Sequence, residues 1–239
     1  MGQFYNPYIA SFETMCLNMD VANVRSYPGS GSNWFDVSNF RNTGTLTACT
    51  LTGSGGTTAF AFDGATSLVN LGTTNGGNVT TAWTVEAWIY PTGYGEGNSG
   101  RIFQHSSGSL TGFIFSLDNS SVTAGLQVNT YAISGFSARI GNCITLNEWQ
   151  QVALSFSSGT ATFYVNGASI GSSSVTSPSA YTGSDYIGNN SGATNTFAGN
   201  ISVVRLYRNA LTAADIRNNY DVFKGRYSTS SAGGLEVPQ

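Results

Sequence analysis

The stretch AWTVEAWIYP, residues 82–91, holds a single carboxylate, Glu86, inside an otherwise apolar and aromatic run. Glycoside hydrolysis needs two carboxylates flanking the bond, about 5–5.5 Å apart for retention or about 6.5–9.5 Å for inversion. On a strand alternate side chains share a face, and the same-face neighbours of Glu86 are Thr84, Trp88 and Tyr90. No second carboxylate is among them, so Glu86 is expected to be non-catalytic, hydrogen-bonded to backbone or hydroxyls on the non-core face. His105 is the sole histidine. Without a G-x-S-x-G elbow it makes a poor nucleophilic triad, and it reads as an ordinary sheet residue. Cys16, Cys49 and Cys143 are odd in number and lack a C-x-x-C pair, so they read as reduced core thiols and supply no zinc site.

No cofactor is expected, although a calcium ion held by backbone carbonyls with Asp63, Asp185 or Asn189 is left open, since calcium takes oxygen ligands. Asp63-Gly64 reads first as a turn. Sugar binding is the better-supplied chemistry. It would use an aromatic platform beside amide and carboxylate hydrogen-bonders, and the candidates are Trp88, Tyr90, Tyr94 and Tyr181. Trp88 and Tyr90 lie opposite the core side formed by Val85, Ala87 and Ile89. The competing reading is that a loop or the C-terminal helix covers them, and that the loop tyrosines Tyr94 and Tyr181 make a subunit contact.

The elements that position these residues are strands. Short apolar alternations separated by Gly, Ser, Asn and Asp clusters recur from about residue 44 to 208, the pattern of a sandwich or barrel. Phe60 and Phe62 share a face, as do Phe113, Phe115 and Leu117, and as do Val122, Ala124, Leu126 and Val128. In WQQVALSFSSGTATFYVNGASIG, Val152, Leu154 and Phe156 alternate, Ser157–Gly159 turns the chain, and Ala161, Phe163 and Val165 alternate back. Asn166-Gly167 then supplies a tight primed turn into a third strand. One helix is predicted in ALTAADIRNNYDVF, with Thr212 as N-cap, Asp215 completing a capping box, and Leu211 with Ile216 as a hydrophobic staple. Its apolar stripe, Ile216, Tyr220 and Phe223, is expected to dock on a sheet.

Bulk composition narrows the partners. The 239 residues are 40% hydrophobic, enough for one large all-β domain, while only 9% are charged, against about 25% in ordinary soluble domains. A net charge of −3 with 9 Lys and Arg leaves no electrostatic footprint for nucleic acid. No segment reaches the roughly 20 apolar residues of a membrane span. The opening MGQFYNPYIASFE has neither basic start nor apolar run, so synthesis in a cytoplasm is expected.

The ordered set FAFDG, WTVEAWIYP, NEWQQVALSF, ATFYVNG, YIGNN and FAGNISVVRLYRNALTAADIRNNY resembles the concanavalin A-like, laminin-G-like jelly-roll domains over about residues 34–223. The resemblance implies an all-β, two-sheet antiparallel jelly-roll sandwich with one short helix in the C-terminal region. The opening is narrower still. YNPYI, then Leu17, Asp20, Ala22, Asn23, Ser26 to Gly31, Trp34, Asp36, Ser38 and Gly44 to Thr47 resemble the start of laminin-G-like structural proteins of tailed bacteriophages. NNYDVFKGRY is similar to their ending. The chain departs from that pattern at NFRN, where relatives carry glycine and asparagine, and at Ser202, where relatives that bind calcium carry an acidic residue. Glucan-cleaving relatives carry an E-x-D-x-x-E element on one strand, which is missing around Glu86.

The resemblance implies a non-enzymatic virion structural protein on the particle surface, made in the host cytoplasm. The leading form is a capsid-surface decoration protein docked on the major capsid protein or another virion protein, with host-surface glycan as a further partner. A fibre or receptor-binding tip with lectin activity is the alternative, and a polysaccharide-cleaving enzyme the second alternative. Residues 1–16 are expected to form an N-terminal arm, 17–223 the jelly-roll domain and 224–239 a C-terminal tail. Both ends are expected to lie on neighbouring subunits of a homo-oligomer.

Overall fold

Alternating side chains build two antiparallel sheets in the computed structural model, which describes residues 9–74, 79–107, 110–132, 135–190, 192 and 194–228. The first sheet contains β1 (Met15–Asp20), β4 (Thr50–Thr52), β5 (Ala59–Asp63), β7 (Ala82–Pro91), β12 (Gln150–Ser157), β13 (Thr160–Val165), β14 (Ala168–Ser174) and β16 (Ala198–Tyr207). The second contains β2 (Asn33–Phe35), β3 (Thr43–Thr47), β6 (Leu68–Gly72), β8 (Arg101–Ser106), β9 (Gly112–Asp118), β10 (Gly125–Tyr131), β11 (Gly135–Ile140) and β15 (Asp185–Ile187). The first runs β14-β13-β12-β7-β16-β5-β4, and the second β11-β10-β9-β8-β15-β6-β3-β2. β16 serves two partners on one edge, β5 along Ala198–Ile201 and β1 along Val203–Tyr207. The two-sheet sandwich with a helix near the C-terminus agrees with the expected fold.

The core fills the space between the sheets. Trp83 of β7 stacks on Phe113 of β9 at 3.7 Å and on Phe156 of β12 at 5.3 Å, all three fully buried. Burying each such side chain stabilises by about 1.5–3 kcal/mol. The hairpin forms as its pattern demands, with Val152 opposite Val165, Leu154 opposite Phe163 and Phe156 opposite Ala161. Asn166 at φ 50° and Gly167 at φ 75° make the primed turn into β14. One strand differs from expectation: β10 starts at Gly125, and Val122 and Ala124 belong to the preceding turn. There Asp118 accepts from Ser120 and Ser121, Asn119 accepts from the Ala124 amide, and Ala124 sits at φ 47°. These side-chain bonds to backbone compete with strand pairing and win.

The helix, α1 (Ala213–Tyr227), carries the expected reciprocal cap between Thr212 and Asp215. It extends four residues beyond the predicted stretch, because Phe223 and Tyr227, one turn apart, both pack on Trp88 and Val203. The described part of the expected N-terminal arm packs on its own chain. Ile9 packs against the apolar clusters beneath α1, the Ala10 amide donates to Asn219 Oδ1 at 2.9 Å, and β1 begins at Met15. Residues 1–8 and 229–239, the remainder of the expected arm and tail, lie outside the described residues.

Candidate functional site: an aromatic cleft between sheet and helix

β7 turns Trp83, Val85, Ala87 and Ile89 into the sandwich core, so Thr84, Glu86, Trp88 and Tyr90 face outward, under α1. Trp88 is 1% exposed, stacked on Tyr227 at 4.1 Å and on Tyr220 at 5.7 Å. The helix therefore covers Trp88. Tyr90 remains partly exposed and leans on Trp149 at 5.6 Å, and Trp149 in turn lies 4.8 Å from Tyr227. β12 pairs Gln150 with Ile89, which sets Trp149 one step further on, opposite Tyr90.

Trp149 and Tyr227 border two adjoining hollows. One, of about 380 Å³, runs between Trp88, Trp149, Tyr220, Asn166 and Lys224. The other, of about 450 Å³, lies between Tyr90, Trp149, Asn147 and Glu148. Both fall in the size range of small-ligand sites, which is about 300–1,000 Å³. Flat rings walled by amides, one ammonium and one carboxylate can stack a sugar's C–H face and hydrogen-bond its hydroxyls. The indole N–H of Trp88 is buried without an acceptor among the described residues. Tyr227 adds a hydroxyl donating to Ser202 Oγ at 3.0 Å. Burial pushes that phenol up to about 12, outweighing the Arg226 charge and the Ser202 bond, which lower it.

Of the four expected sugar contacts, the structure brings Trp88 and Tyr90 together. Tyr94 packs against the sandwich core in the loop after β7. Tyr181 donates to Ser184 O at 2.9 Å and meets His105 edge-on at 5.1 Å, far from the cleft in the fold. Sequence reasoning missed Trp149, Tyr220 and Tyr227 as cleft walls. The available signal was Trp149 just before a strand that pairs with β7, which places it beside Tyr90.

The groups that could have carried catalysis are occupied. Glu86, fully buried, accepts from Arg205 Nη1 at 2.7 Å and from Asn219 Nδ2 at 2.8 Å. It sits on the non-core face as expected, but a guanidinium and an amide hold it where backbone or hydroxyls were foreseen. Asn219 also donates to Tyr207 Oη at 3.1 Å, and burial raises that phenol above its ordinary range. His105 and Asp185 pair at 2.8 Å, both buried. All three cysteines are free, and burial pushes the Cys16 and Cys49 thiols up to about 12, which makes them unreactive.

The three calcium candidates are likewise committed elsewhere. Asp63 accepts from the amides of Ala65, Thr66 and Ser67 and from the Thr66 hydroxyl. Desolvation would raise its carboxyl, but these donors together hold it well below the usual carboxylate range. Asn189 donates to Ser67 O and Thr196 Oγ1 and accepts from the Asn190 amide. Among the described residues no group of three metal-ligating side chains converges.

A laminin-G-type family model, described as the concanavalin A-like lectin/glucanases superfamily, matches residues 63–217. The chain belongs to this superfamily. Solved structures share the fold at low identity. The binding domain of Paraclostridial Mosquitocidal Protein 1 superposes with a TM-score of 0.69 at 13% identity, covering 89% of this chain and 53% of that one. The binding domain of botulinum neurotoxin serotype D gives 0.66 at 13%, covering 88% and 52%. A botulinum neurotoxin DC binding domain in complex with SialylT gives 0.66 at 12%, covering 89% and 52%. The chain spans about half the length of these structures. No curated protein matches it. Within a superfamily named for both lectins and glucanases, the requirement for two carboxylates separates the two chemistries, and the carboxylate of Glu86 is spent on Arg205 and Asn219.

Proposed function

We propose that this chain is a non-enzymatic structural protein of a virus particle, a capsid-surface decoration protein that docks on the major capsid protein and binds host-surface glycans through the cleft beside α1. The observation that carries the reading is the cleft itself. Tyr90 and Trp149 offer aromatic walls, Asn147, Asn166 and Lys224 offer polar groups, and the carboxylate beneath them is neutralised by Arg205. Such a site can bind a sugar, and Glu148 is the one carboxylate in its lining, where cleavage calls for two.

Two further facts support the reading. The fold is shared with toxin binding domains, among them structures described with SialylT and with N-acetylneuraminic acid. The N-terminal residues that resemble phage structural proteins are spent on architecture. Asp36 accepts from the Asn18, Ser38 and Asn42 amides, the Ser38 hydroxyl and the Asn42 side chain. Asp20 takes both arms of the Arg226 guanidinium at 2.8 and 2.9 Å, tying β1 to the end of α1. Asn18 accepts from Arg205 Nε at 3.2 Å, which joins the same strand to the buried pair.

Quantitative mass spectrometry of purified particles tests the location: copies comparable to the major capsid protein support decoration, a handful point to a fibre or tail tip, and none removes the virion reading. Glycan-array binding tests the cleft. Trp149→Ala is expected to abolish a signal given by the wild type while the protein stays folded by circular dichroism at the assay temperature, and retention of that signal would place sugar elsewhere.

A further inference from the structure

Five of the nine cationic side chains close a bridge to a carboxylate: Arg139, Arg205, Arg217, Lys224 and Arg226. Of the remaining four, Arg101 is taken up by Gln104 on the second sheet. The other three gather in one region. Arg25 and Arg41, both exposed and without an ion pair among the described residues, line a hollow of about 430 Å³, and Arg208 lies over Phe40 beside it, 4.8 Å from the ring centroid.

The exposed large hydrophobic side chains gather there too. Of the five among the described residues, four lie there, Phe12 at 43%, Val24 at 77%, Phe35 at 38% and Leu51 at 41%, while Leu110 at 59% sits between β8 and β9. Phe12 and Phe35 flank the hollow with Arg25 and Arg41. Val24, next to Arg25 in the chain, and Leu51 line a second hollow of about 280 Å³. Monomer surfaces scatter such residues singly. Aromatic and apolar groups clustered with arginine are instead the composition of a protein interface core.

Opposing charge is scarce. Within residues 9–58, Asp20 is bonded to Arg226 and Asp36 is turned inward onto five donors, which leaves Glu13 as the exposed acid. The chain as a whole is negative, with 12 acids against 9 cations. A positive apolar patch on a molecule of otherwise negative charge orients that face toward a negative partner surface.

We propose that the face formed by Phe12, Val24, Arg25, Phe35, Arg41 and Leu51 is a docking surface for an acidic protein surface, one that places carboxylates against the two arginines and apolar side chains in the two hollows. This rests on the virion reading and assigns the contact through which the chain is held on the particle. The resembling N-terminal residues then shape the docking loop: Ser26 Oγ donates to Phe35 O at the base of the patch, and Asp36 anchors the turn that presents Arg41.

The test uses purified particles stripped of this chain and the full-length protein, pelleted together. Wild type is expected to co-sediment, with retention falling steeply as salt rises. R25E/R41E is expected to lose at least tenfold in retention, V24D several-fold, and R25K/R41K much less. Because these side chains are exposed and unpaired, melting temperature and glycan-array binding should not change, and R25Q/R41Q serves if the charge reversal impairs folding. Wild-type retention by both double variants would overturn the docking face while leaving the virion reading intact. Failure of the wild type to pellet would overturn both. Loss of glycan binding with retained docking would reassign the patch to a sugar site and overturn the proposal.

Discussion

The outer faces of the two sheets meet opposite fates. On the first, the helix and residues 9–14 close over a charged pair and a stack of rings, so that Glu86, Trp88 and Arg205 are each at most 1% exposed. On the second, no helix packs among the described residues, and the face is a lattice of short polar bonds. Gln127 Nε2 donates to Asn129 Oδ1 at 2.8 Å and Gln104 Nε2 to Ser106 O at 2.9 Å, with the bridge between Arg139 and Asp118 at one end. Gln104 and Gln127 are still only 4% and 5% exposed, shielded by their own neighbours. A face that carries full charge needs both a cover and a partner, because an uncompensated buried ion costs several kcal/mol. A face built mostly of neutral amides, with the Asp118 carboxylate held at its end by Ser120, Ser121 and Arg139, stands without a helix over it.

The sharpest way to break the contrast is to remove what the helix closes on. Trp88→Ala is expected to destabilise by about 4 kcal/mol, the range for a buried aromatic cut to a methyl group, measured as the midpoint shift in urea. A cost below about 1 kcal/mol would mean that α1 is not held by this stack. Glu86→Gln should follow at about 3 kcal/mol, since it leaves Arg205 buried beside a neutral amide. Glu86→Leu combined with Arg205→Met should recover most of that loss, and failure to recover it would show that the neighbouring amide network matters more than the charge.

The contrast also predicts an alkaline window. Tyr227, at the end of the helix on its buried face, keeps its proton up to about 12 in the folded protein, against about 10 for an ordinary phenol. Its folded-state value is raised, so its contribution is complete below about 10 and is lost between about 10 and 12, as the unfolded chain ionises first. The melting temperature should fall across that window, and Tyr227→Phe should flatten the fall. Tyr131, on the second sheet, is raised in the same direction by burial, with Arg101 opposing. Being only half-buried, it should give a shallower change when replaced by Phe. An equal response at both tyrosines would erase the distinction between the two faces.

Much of this architecture was legible in the chain because local rules coincide with it. The hairpin from Gln150 to Val165 follows from period-two alternation and an Asn-Gly turn, and the helix start follows from Thr212 and Asp215. The place of Glu86 on the non-core face could be read from the alternation of its strand. Its partner could not, since Arg205 lies 119 residues away in the chain and no local pattern announces a cross-strand ion pair. The cover over Trp88 was visible only as one of two readings, because a ring on an outward face looks the same whether it meets sugar or helix. Val122 and Ala124 misled for the opposite reason: their alternation was real, but the carboxylate of Asp118 and the amide of Asn119 rewrote the local backbone.

The smallest effect is expected on the second sheet, and it decides whether that face is self-sufficient. Gln127→Ala removes one donor to Asn129 Oδ1, but the same oxygen also accepts from the Ser137 hydroxyl. No acceptor is left bare, so the loss is one neutral hydrogen bond and a few methylenes, about 1 kcal/mol. A chemical-denaturation midpoint with unchanged slope would measure it. A loss as large as that of Glu86→Gln would mean that the polar lattice is as tightly coupled as the ion pair, and that the open face is held for a ligand or partner. A loss near 1 kcal/mol would leave the cleft beside α1 and the arginine patch as the surfaces where this sandwich meets other molecules.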